Sequence, residues 1–595
     1  MKHLKNESRR SFIKNSGFLM GAGGLAGFSF DLPQRNVDNA AIQSNYKCDI
    51  LVVGGSFGGC AAALAAAKLG KEVIITEETS WIGGQATTQG VPMDEHPWIE
   101  KFGRTLSYAS FRQGVRDYYR NYYPLSTAAR SDAFLNPGAC WVSAIGFEPR
   151  VGMAVLGQML MPHYTAGRVK VLTNFKPASV DMDGDRCKGV VVANQLTGQN
   201  IAIEASYILD ATELGDVLPL ARMEFVTGSE SQSDTGEPSA MEGPADPNRI
   251  QPFTHLIAID HLPGENHVIE KPESYEKWRG GFSRLICFDD ADGLKNRMRR
   301  LFTGESQGTY KQSIWNFRRA FCKSNFAPGA FPSDITMLMN GNSYSHGNLI
   351  GGTEEEAKLH FEQARQKSLS LLYFLQTEIP SGYNNKPGFP GLRARGDVFG
   401  TSDGLAQYPY VRESRRIKAE FTVLEQHFRT DLHPKGPVKY FDSVGVGGYR
   451  VDIHLKAKNK NSSYTQALHG MHWPQQIPLG ALIPIRIENI IPACKNLGVT
   501  QVTNGAFRLH PVEWNTGEAA GALAAFCLDK NATPRQVRNT DGLLKEYQHV
   551  ITKMGFEMEW PTMEYARSYN SHFVNEPDWY WGEADLMYSD DSYLK

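Results

Sequence analysis

Arg508, His510 and Glu513 place a guanidinium, an imidazole and a carboxylate in one short stretch, RLHPVEWNTGEAAGALAAF, at 508–526. An imidazole titrates near neutrality, so His510 can take a proton from an alcohol or amine at ordinary pH. A base matched to the working pH contributes about 10²–10⁴-fold to such a step. Pro511 stiffens the turn that carries His510, Glu513 can orient the ring or bind substrate, and Arg508 can hold an anionic or hydroxyl-rich substrate. A buried structural histidine and an internal Arg–Glu pair are the bland readings of the same residues. Downstream, the Ala- and Gly-rich composition predicts a helix from near Asn515, its amino terminus at Gly517, Glu518, Ala519 and Ala520 favouring negative charge in front of it.

Other polar groups carry weaker signals. His469 and His472 in ALHGMHWPQQ have a spacing that suits a metal, but no third ligand is evident, so no metal is expected. Asn342, Tyr344 and His346 form a polar, aromatic loop that could line a substrate. Arg412, Glu413, Arg415 and Arg416 read as the start of a helix with an internal ion-pair network.

These residues need a scaffold, and Lys47 to Glu78 supplies it: KCDILVVGGSFGGCAAALAAAKLGKEVIITEE. Asp49–Val53 is a short β-branched run, the mark of a buried parallel strand. Gly54, Gly55, Ser56, Phe57, Gly58 and Gly59 follow, then an Ala-rich helix to Leu69, a second strand at 73–76, and Glu77 and Glu78 at its carboxyl end. Strand, glycine turn, helix, strand and acid together form the dinucleotide fingerprint. Gly54 permits the tight turn and Gly59 the close packing of helix on strand. The helix amino terminus meets a pyrophosphate, and an acid accepts from a ribose. Ser56 departs from the pattern at the middle glycine but is small enough to let the backbone approach.

Gly83, Gly84 and Gln85 make a flexible turn beside the strand ends. Segments 98–123 and 152–164 read as helices, and 168–192 as strand, turn and strand with a hairpin at 183–185. Ile201–Ala211 is a returning strand that closes on Thr212 and Glu213. Helical patterns recur at 293–302 and 353–377, the second with a capping box of Thr353 and Glu356. The fold class expected is α/β, a Rossmann-like dinucleotide-binding domain with an inserted α+β substrate domain. Its divisions fall at 1–43 (signal and linker), 44–227 (first part of the cofactor domain), 228–475 (substrate or cap domain), 476–535 (second part of the cofactor domain) and 536–595 (C-terminal extension).

The chain has 595 residues, enough for several subdomains, and a net charge of −2 that gives no reason to expect nucleic acid or an anionic membrane surface as partner. Its eight cysteines show no CxxC or metal-finger spacing, and a disulfide cannot be paired from sequence. Ser8-Arg9-Arg10-Ser11-Phe12-Ile13-Lys14 matches the twin-arginine export pattern, followed by a Gly-rich apolar region at 17–30 too short for a spanning helix. The expected location is therefore periplasmic, with the twin-arginine machinery as a partner and no stable membrane anchor.

The motifs GGSFGG with Glu77 and Glu78, WIGGQAT at 81–87, YILDATELGD at 207–216 and RLHPVEWNTGEAAGALAAF at 508–526 together resemble the FAD-dependent oxidoreductases related to the flavoprotein subunit of heterodisulfide reductase. The resemblance covers roughly 49–526 and implies a two-dinucleotide-type flavoprotein with FAD as cofactor. It implies that Gly54, Gly55, Ser56, Gly58 and Gly59, with Phe57 in the same turn, hold the pyrophosphate, and that Glu77, with Glu78 beside it, holds the adenosine ribose. Gly83, Gly84 and Gln85 lie toward the flavin by the same token. Ala178 passes the adenine, Ala211 and Thr212 close the strand end, and Gly517, Glu518, Ala519 and Ala520 meet the pyrimidine edge of the ring. The family's iron–sulfur cysteine motifs are absent, and Glu213 stands where many such proteins have glycine. The activity implied is hydride transfer from a small organic substrate, a carbohydrate or another polyhydroxylated compound, to FAD, with an unidentified electron acceptor. The alternatives are a non-catalytic flavin-binding or polymer-binding protein with structural FAD, or an electron-transfer subunit.

Overall fold

A sheet of seven strands carries the glycine turn: β1 (Ile42–Val53), β2 (Val73–Glu77), β3 (Val169–Thr173), β4 (Phe175–Asp183), β5 (Arg186–Asn194), β6 (Asn200–Asp210) and β7 (Ile490–Pro492). The computed structural model describes residues 42–96, 98–282, 301–302, 313–339, 341–379, 387–454 and 472–560. The arginine pair at 9 and 10, the apolar stretch 17–30, the pattern at 293–300, His469 and everything after 560 lie outside the described residues.

Strands β3, β2, β1 and β6 run parallel in that order. The long strand β6 is shared on its far side. Its first half pairs antiparallel with β5 of the β4–β5 hairpin, and its second half pairs parallel with β7. Asn489 splices the two partners. Its side chain accepts from Cys187 N at 2.8 Å and donates to the carbonyls of Cys187 and Ser206, so no ladder group is orphaned where β5 stops and β7 begins. The apolar run predicted as a parallel strand is fully buried at Ile50–Val53, and the hairpin turns at Gly184 as predicted. Because β2 and β6 flank β1 on opposite sides, the carboxyl end of β1 is the switch point of the sheet, where open α/β folds bind ligands.

Helix α1 (Phe57–Lys68) crosses from β1 to β2. Helices α2 (Leu106–Tyr122) and α3 (Pro149–Thr165) are close to the predicted segments. A second, antiparallel sheet is formed by Ile257–His261, Arg319–Phe321, Ile335–Leu338 and Leu392–Ala394. Against it packs α4 (Glu354–Thr377), whose capping box is formed: Glu356 N donates to Thr353 Oγ1 and Thr353 N to Glu356 Oε2. Tyr344 belongs to this second core, Asn342 is buried beside it, and His346 is exposed. The Asn342 amide is spent on His255 O, Leu338 O and Ser368 Oγ, and His346 packs on Trp278.

Two predicted boundaries are corrected. Helix α5 runs His510–Lys530, so it begins at His510 rather than near Asn515, and Pro511 is its first-turn proline. Gly517 therefore lies inside the helix and not at its amino terminus. Arg412–Arg416 forms no helix. It is an irregular segment ending in the short strand Arg416–Ile417, and its side chains are spent on distant backbone and carboxylates. The ion-pair network does form, with Arg416 on both Glu413 and Glu230 at 2.8 Å.

Candidate cofactor cleft and active site

A cleft with about 370 Å³ of empty space, part of it open solvent, lies at the switch point. Its lining includes Gly54 from the end of β1, Glu77 and Glu78 from the end of β2, and Ala211, Thr212 and Glu213 from the end of β6. Gly54 has φ of 101°, and a Cβ there would strike the Ala211 carbonyl, so the turn requires glycine. Gly59 packs on Gly54 O, and Ser56 caps α1 by accepting from Gly59 N at 3.1 Å. Phe57 turns the other way, into an aromatic core with Phe111, His510 and Trp514. On the hairpin side it is Phe175 and Pro177 that line the cleft. Ala178, the residue expected at the adenine, sits in the β4 bulge between Pro177 and Ser179.

Glu77 accepts from Gly55 N at 2.8 Å and from the backbone and hydroxyl of Thr79. Burial outweighs these bonds and pushes its carboxyl up to about 7, and burial does the same to Asp210. Both acids hold protons in the folded chain that the unfolded chain releases. The stability they contribute is full below about pH 4 and lost as pH rises through 7. The FAD-free protein is accordingly expected to lose stability from pH 5 to pH 7.5 in denaturant titrations, and Glu77→Gln to flatten that slope. An unchanged slope in the variant would show that Glu77 ionises normally.

Behind the turn lies a buried charge cluster. Lys495 pairs with Glu213 and reaches Glu513 Oε2 at 3.5 Å. Glu513 Oε1 accepts from Gly58 N at 3.0 Å, while its other oxygen accepts from Gln85. Glu213, Cys494 and Glu513 bring three ligand-type atoms together, but the positive charge among them is that of Lys495. Glu513 thus serves the amino terminus of α1 and does not orient His510, which corrects the sequence reading. Gln85 also donates to Arg508 O at 3.0 Å, tying the 83–85 turn directly to the 508–513 segment.

His510 is fully buried, and its Nδ1 accepts from Asp94 N at 3.1 Å. That bond fixes the tautomer with the proton on Nε2, and Nε2 has no partner among the described residues. Burial also holds the imidazole down at about 4, so it is neutral. One nitrogen is occupied and the other protonated; the ring offers a donor, and the proton-acceptor role expected of it is corrected. Arg508 donates to the Tyr410 hydroxyl and to Asp452 O. Within α5, Gly517 packs on Gly58 O and Gly521 on Ala62 O. Glu518 faces away from the cleft and accepts from Ser107, and Ala519 O accepts from Tyr547. These four expected cofactor residues, 517–520, sit at a helix–helix contact because the helix starts seven residues before Gly517. Of the histidine pair, His472 Nε2 lies 3.1 Å from Glu425 Oε1 in a buried network with Arg429.

Sequence reasoning missed Asp94, Lys495 and Glu213. A lone lysine inside IIPACKNLGV at 490–499 was the available signal for a buried, paired cation.

A parallel sheet with a glycine turn at its switch point, a capped helix behind it and an acid on the neighbouring strand defines a dinucleotide-binding flavoprotein fold. The chain belongs to the FAD-dependent oxidoreductase family, whose model matches residues 49–551. No curated protein matches it. Among solved structures it is similar to Mycobacterium smegmatis Sdh1 in complex with UQ1, at 13% identity, 36% of this chain, 45% of that chain and a TM-score of 0.21. It is also similar to a geranylgeranyl bacteriochlorophyll reductase-like protein from Thermoplasma acidophilum, at 10% identity, 92% of each chain and 0.32. A third is the glycerol-3-phosphate dehydrogenase of Bacillus halodurans complexed with FAD, at 13%, 36% of this chain, 40% of that chain and 0.21. The chain spans less than half the length of the first and third of these.

FAD is the family's cofactor, and the residues fit it. The amino terminus of α1 favours an anion, and the Gly58 N–H expected at the pyrophosphate is itself taken by the Glu513 carboxylate, which corrects that residue's expected role. A Cβ on Gly84 would fall closer than 3.0 Å to Ser56 Cα, so glycine keeps the cleft floor clear. Glu213 Oε1 and Gln85 Oε1 are buried without partners, acceptors available to the hydroxyl and N–H groups of a dinucleotide.

Proposed function

We propose that this chain is an exported flavoenzyme that transfers a hydride from a small organic substrate, a carbohydrate or another polyhydroxylated compound, to FAD. The observation that carries the reading is the Gln85 bridge, which hydrogen-bonds the cofactor turn to the segment bearing Arg508 and His510. Bound FAD supplies the hydride acceptor. In that arrangement Gly54, Ser56, Glu77 and Glu213 hold the cofactor, Arg508 and the proton-bearing Nε2 of His510 face the reactants, and the 228–475 segment supports the substrate side. Within the family, the motifs GGSFGG, WIGGQAT, YILDATELGD and RLHPVEWNTGEAAGALAAF support a kinship with the flavoprotein subunit of heterodisulfide reductase, without its cluster cysteines. The SRRSFIK sequence supports export by the twin-arginine machinery to the periplasm, and among the described residues no helix is long and apolar enough to cross a membrane.

The test is an anaerobic titration of the purified flavoprotein with sugars, polyols, amines and hydroxy acids, after cell fractionation. Recovery in the periplasm and bleaching of the flavin bands by one substrate class are expected. Flavin that no compound reduces would replace this reading with a structural-cofactor role, and a purely cytoplasmic protein would remove the export part.

A further inference from the structure

Three arginines, Arg318, Arg412 and Arg508, gather about Tyr410, and among the described residues the carboxylates opposite them are Asp94 and Asp452. Arg412 is the extreme case. It is 4% exposed, its Nη1 donates to Pro252 O at 2.7 Å and Thr254 Oγ1 at 3.2 Å, and its Nε has no partner. Among the described residues it makes no ion pair. Its guanidinium lies 4.9 Å over the Tyr410 ring, and the hydroxyl of that same tyrosine accepts from Arg508. Arg508 Nε is likewise buried and unpartnered, and its reach to Asp452 Oδ2 is a long 3.4 Å. Arg318 approaches Asp94 only at 3.4–3.5 Å.

A buried cation without a counter-charge is costly and survives where a ligand supplies the missing anion. Burial and the neighbouring Arg508 and Arg318 push the Arg412 guanidinium down to about 10, whereas, against burial, the acidic groups and tyrosines beside Arg318 and Arg508 hold theirs up, so the missing anion is Arg412's. The cluster adjoins the cofactor turn and His510. Arg508 O accepts from Gln85 of the cofactor turn, and Asp94 N holds His510. Guanidinium forks match a carboxylate or another planar oxyanion.

We propose that the substrate of this site is a carboxylate-bearing compound, its anion held by Arg412 and Arg508 on either side of Tyr410. The proposal rests on the flavoenzyme reading for the word substrate, but the anion site stands on the arginines alone. It makes acids, rather than neutral sugars or polyols, the compounds to try first.

The test uses the FAD-loaded protein with malonate and its neutral counterpart malonamide, followed by calorimetry and by the flavin difference spectrum. Malonate is expected to bind and malonamide not. Arg412→Met is expected to weaken malonate at least tenfold, with Arg535→Met at the surface as the unaffected control. Arg412→Met is also expected to leave the melting temperature unchanged or raised, since it removes an uncompensated buried charge, whereas a merely structural arginine would lower it. Arg412→Lys, which keeps the charge but loses the fork, should recover part of the binding. Equal binding of malonate and malonamide, no binding of either, or undiminished malonate binding in Arg412→Met overturns the proposal. Bleaching is read separately. Malonate binding without any reducing substrate would fault the flavoenzyme reading and spare the anion site.

Discussion

Gly517→Ala is expected to cost stability in the upper part of the about 1–3 kcal/mol typical of overpacking and to release FAD, and Gly517→Leu to leave no folded flavoprotein. Helices α1 and α5 meet through small residues. A Cβ on Gly517 would fall well inside 3.0 Å of Gly58 O, one on Gly521 inside 3.0 Å of Ala62 O, and one on Gly58 inside 3.0 Å of Ala493 O. Each obstacle is backbone, which cannot swing aside as a flexible side chain can. Glycine inside a helix costs about 0.5–1 kcal/mol relative to alanine, so two of them in α5 signify that close approach outweighs that cost. The contact matters to the cofactor because Glu513, one turn before Gly517, must reach Gly58 N at the glycine turn. Gly157→Ala in α3 is the control: a Cβ there has nothing within 4 Å, and the change should be neutral or stabilising. Thermal melts with flavin fluorescence read both effects. A Gly517→Ala protein as stable and as flavin-loaded as the parent would show that α1 and α5 do not pack this closely.

That contact also shows what could be read from the chain alone. The glycine turn, β1, α1 and β2 obey local rules and all appear, although β1 already begins at Ile42, inside the stretch expected as linker, and α1 at Phe57 rather than Cys60. The start of α5 was legible too. Proline is favoured in the first helical turn, and weighing that rule above the stiffened-turn reading places the start at His510. The fate of His510 was not legible. Its tautomer is set by Asp94 N, 416 residues away in sequence, and no local pattern announces that bond. Arg412 shows the same limit. YVRESRRI reads as a charged helix start, and its burial comes from partners in other segments, among them Pro252 and Thr254 on Arg412 and Glu230 on Arg416.

Lys495→Met is expected to be the most destabilising charge change in the cofactor domain, by about 3–5 kcal/mol, the usual cost of removing one partner of a buried pair. Lys495 and Glu513 are fully buried, and Glu213 is 9% exposed at its side chain. Without the ammonium, two carboxylates face each other in low dielectric. Glu513 keeps Gly58 N and Gln85, but Glu213, whose Oε1 is already unpartnered, loses its ion-pair partner among the described residues. The pH dependence follows with a definite sign. Two unpaired buried carboxylates take up protons more readily than in the unfolded chain, so their folded pKa values rise. The variant therefore regains stability as pH falls and loses it as pH rises through those values. The gap between variant and parent should be widest near pH 8 and narrow toward pH 5. Lys495→Met combined with Glu213→Gln should recover a large part of the loss, because a neutral amide needs no counter-ion; coupling of this kind is what neighbouring sites show. Urea titrations of the four proteins at pH 5 and 8 read the cycle. Additive effects with no pH dependence would mean that Lys495 and Glu213 do not share a buried charge, and that the glycine turn is held by Glu513 alone.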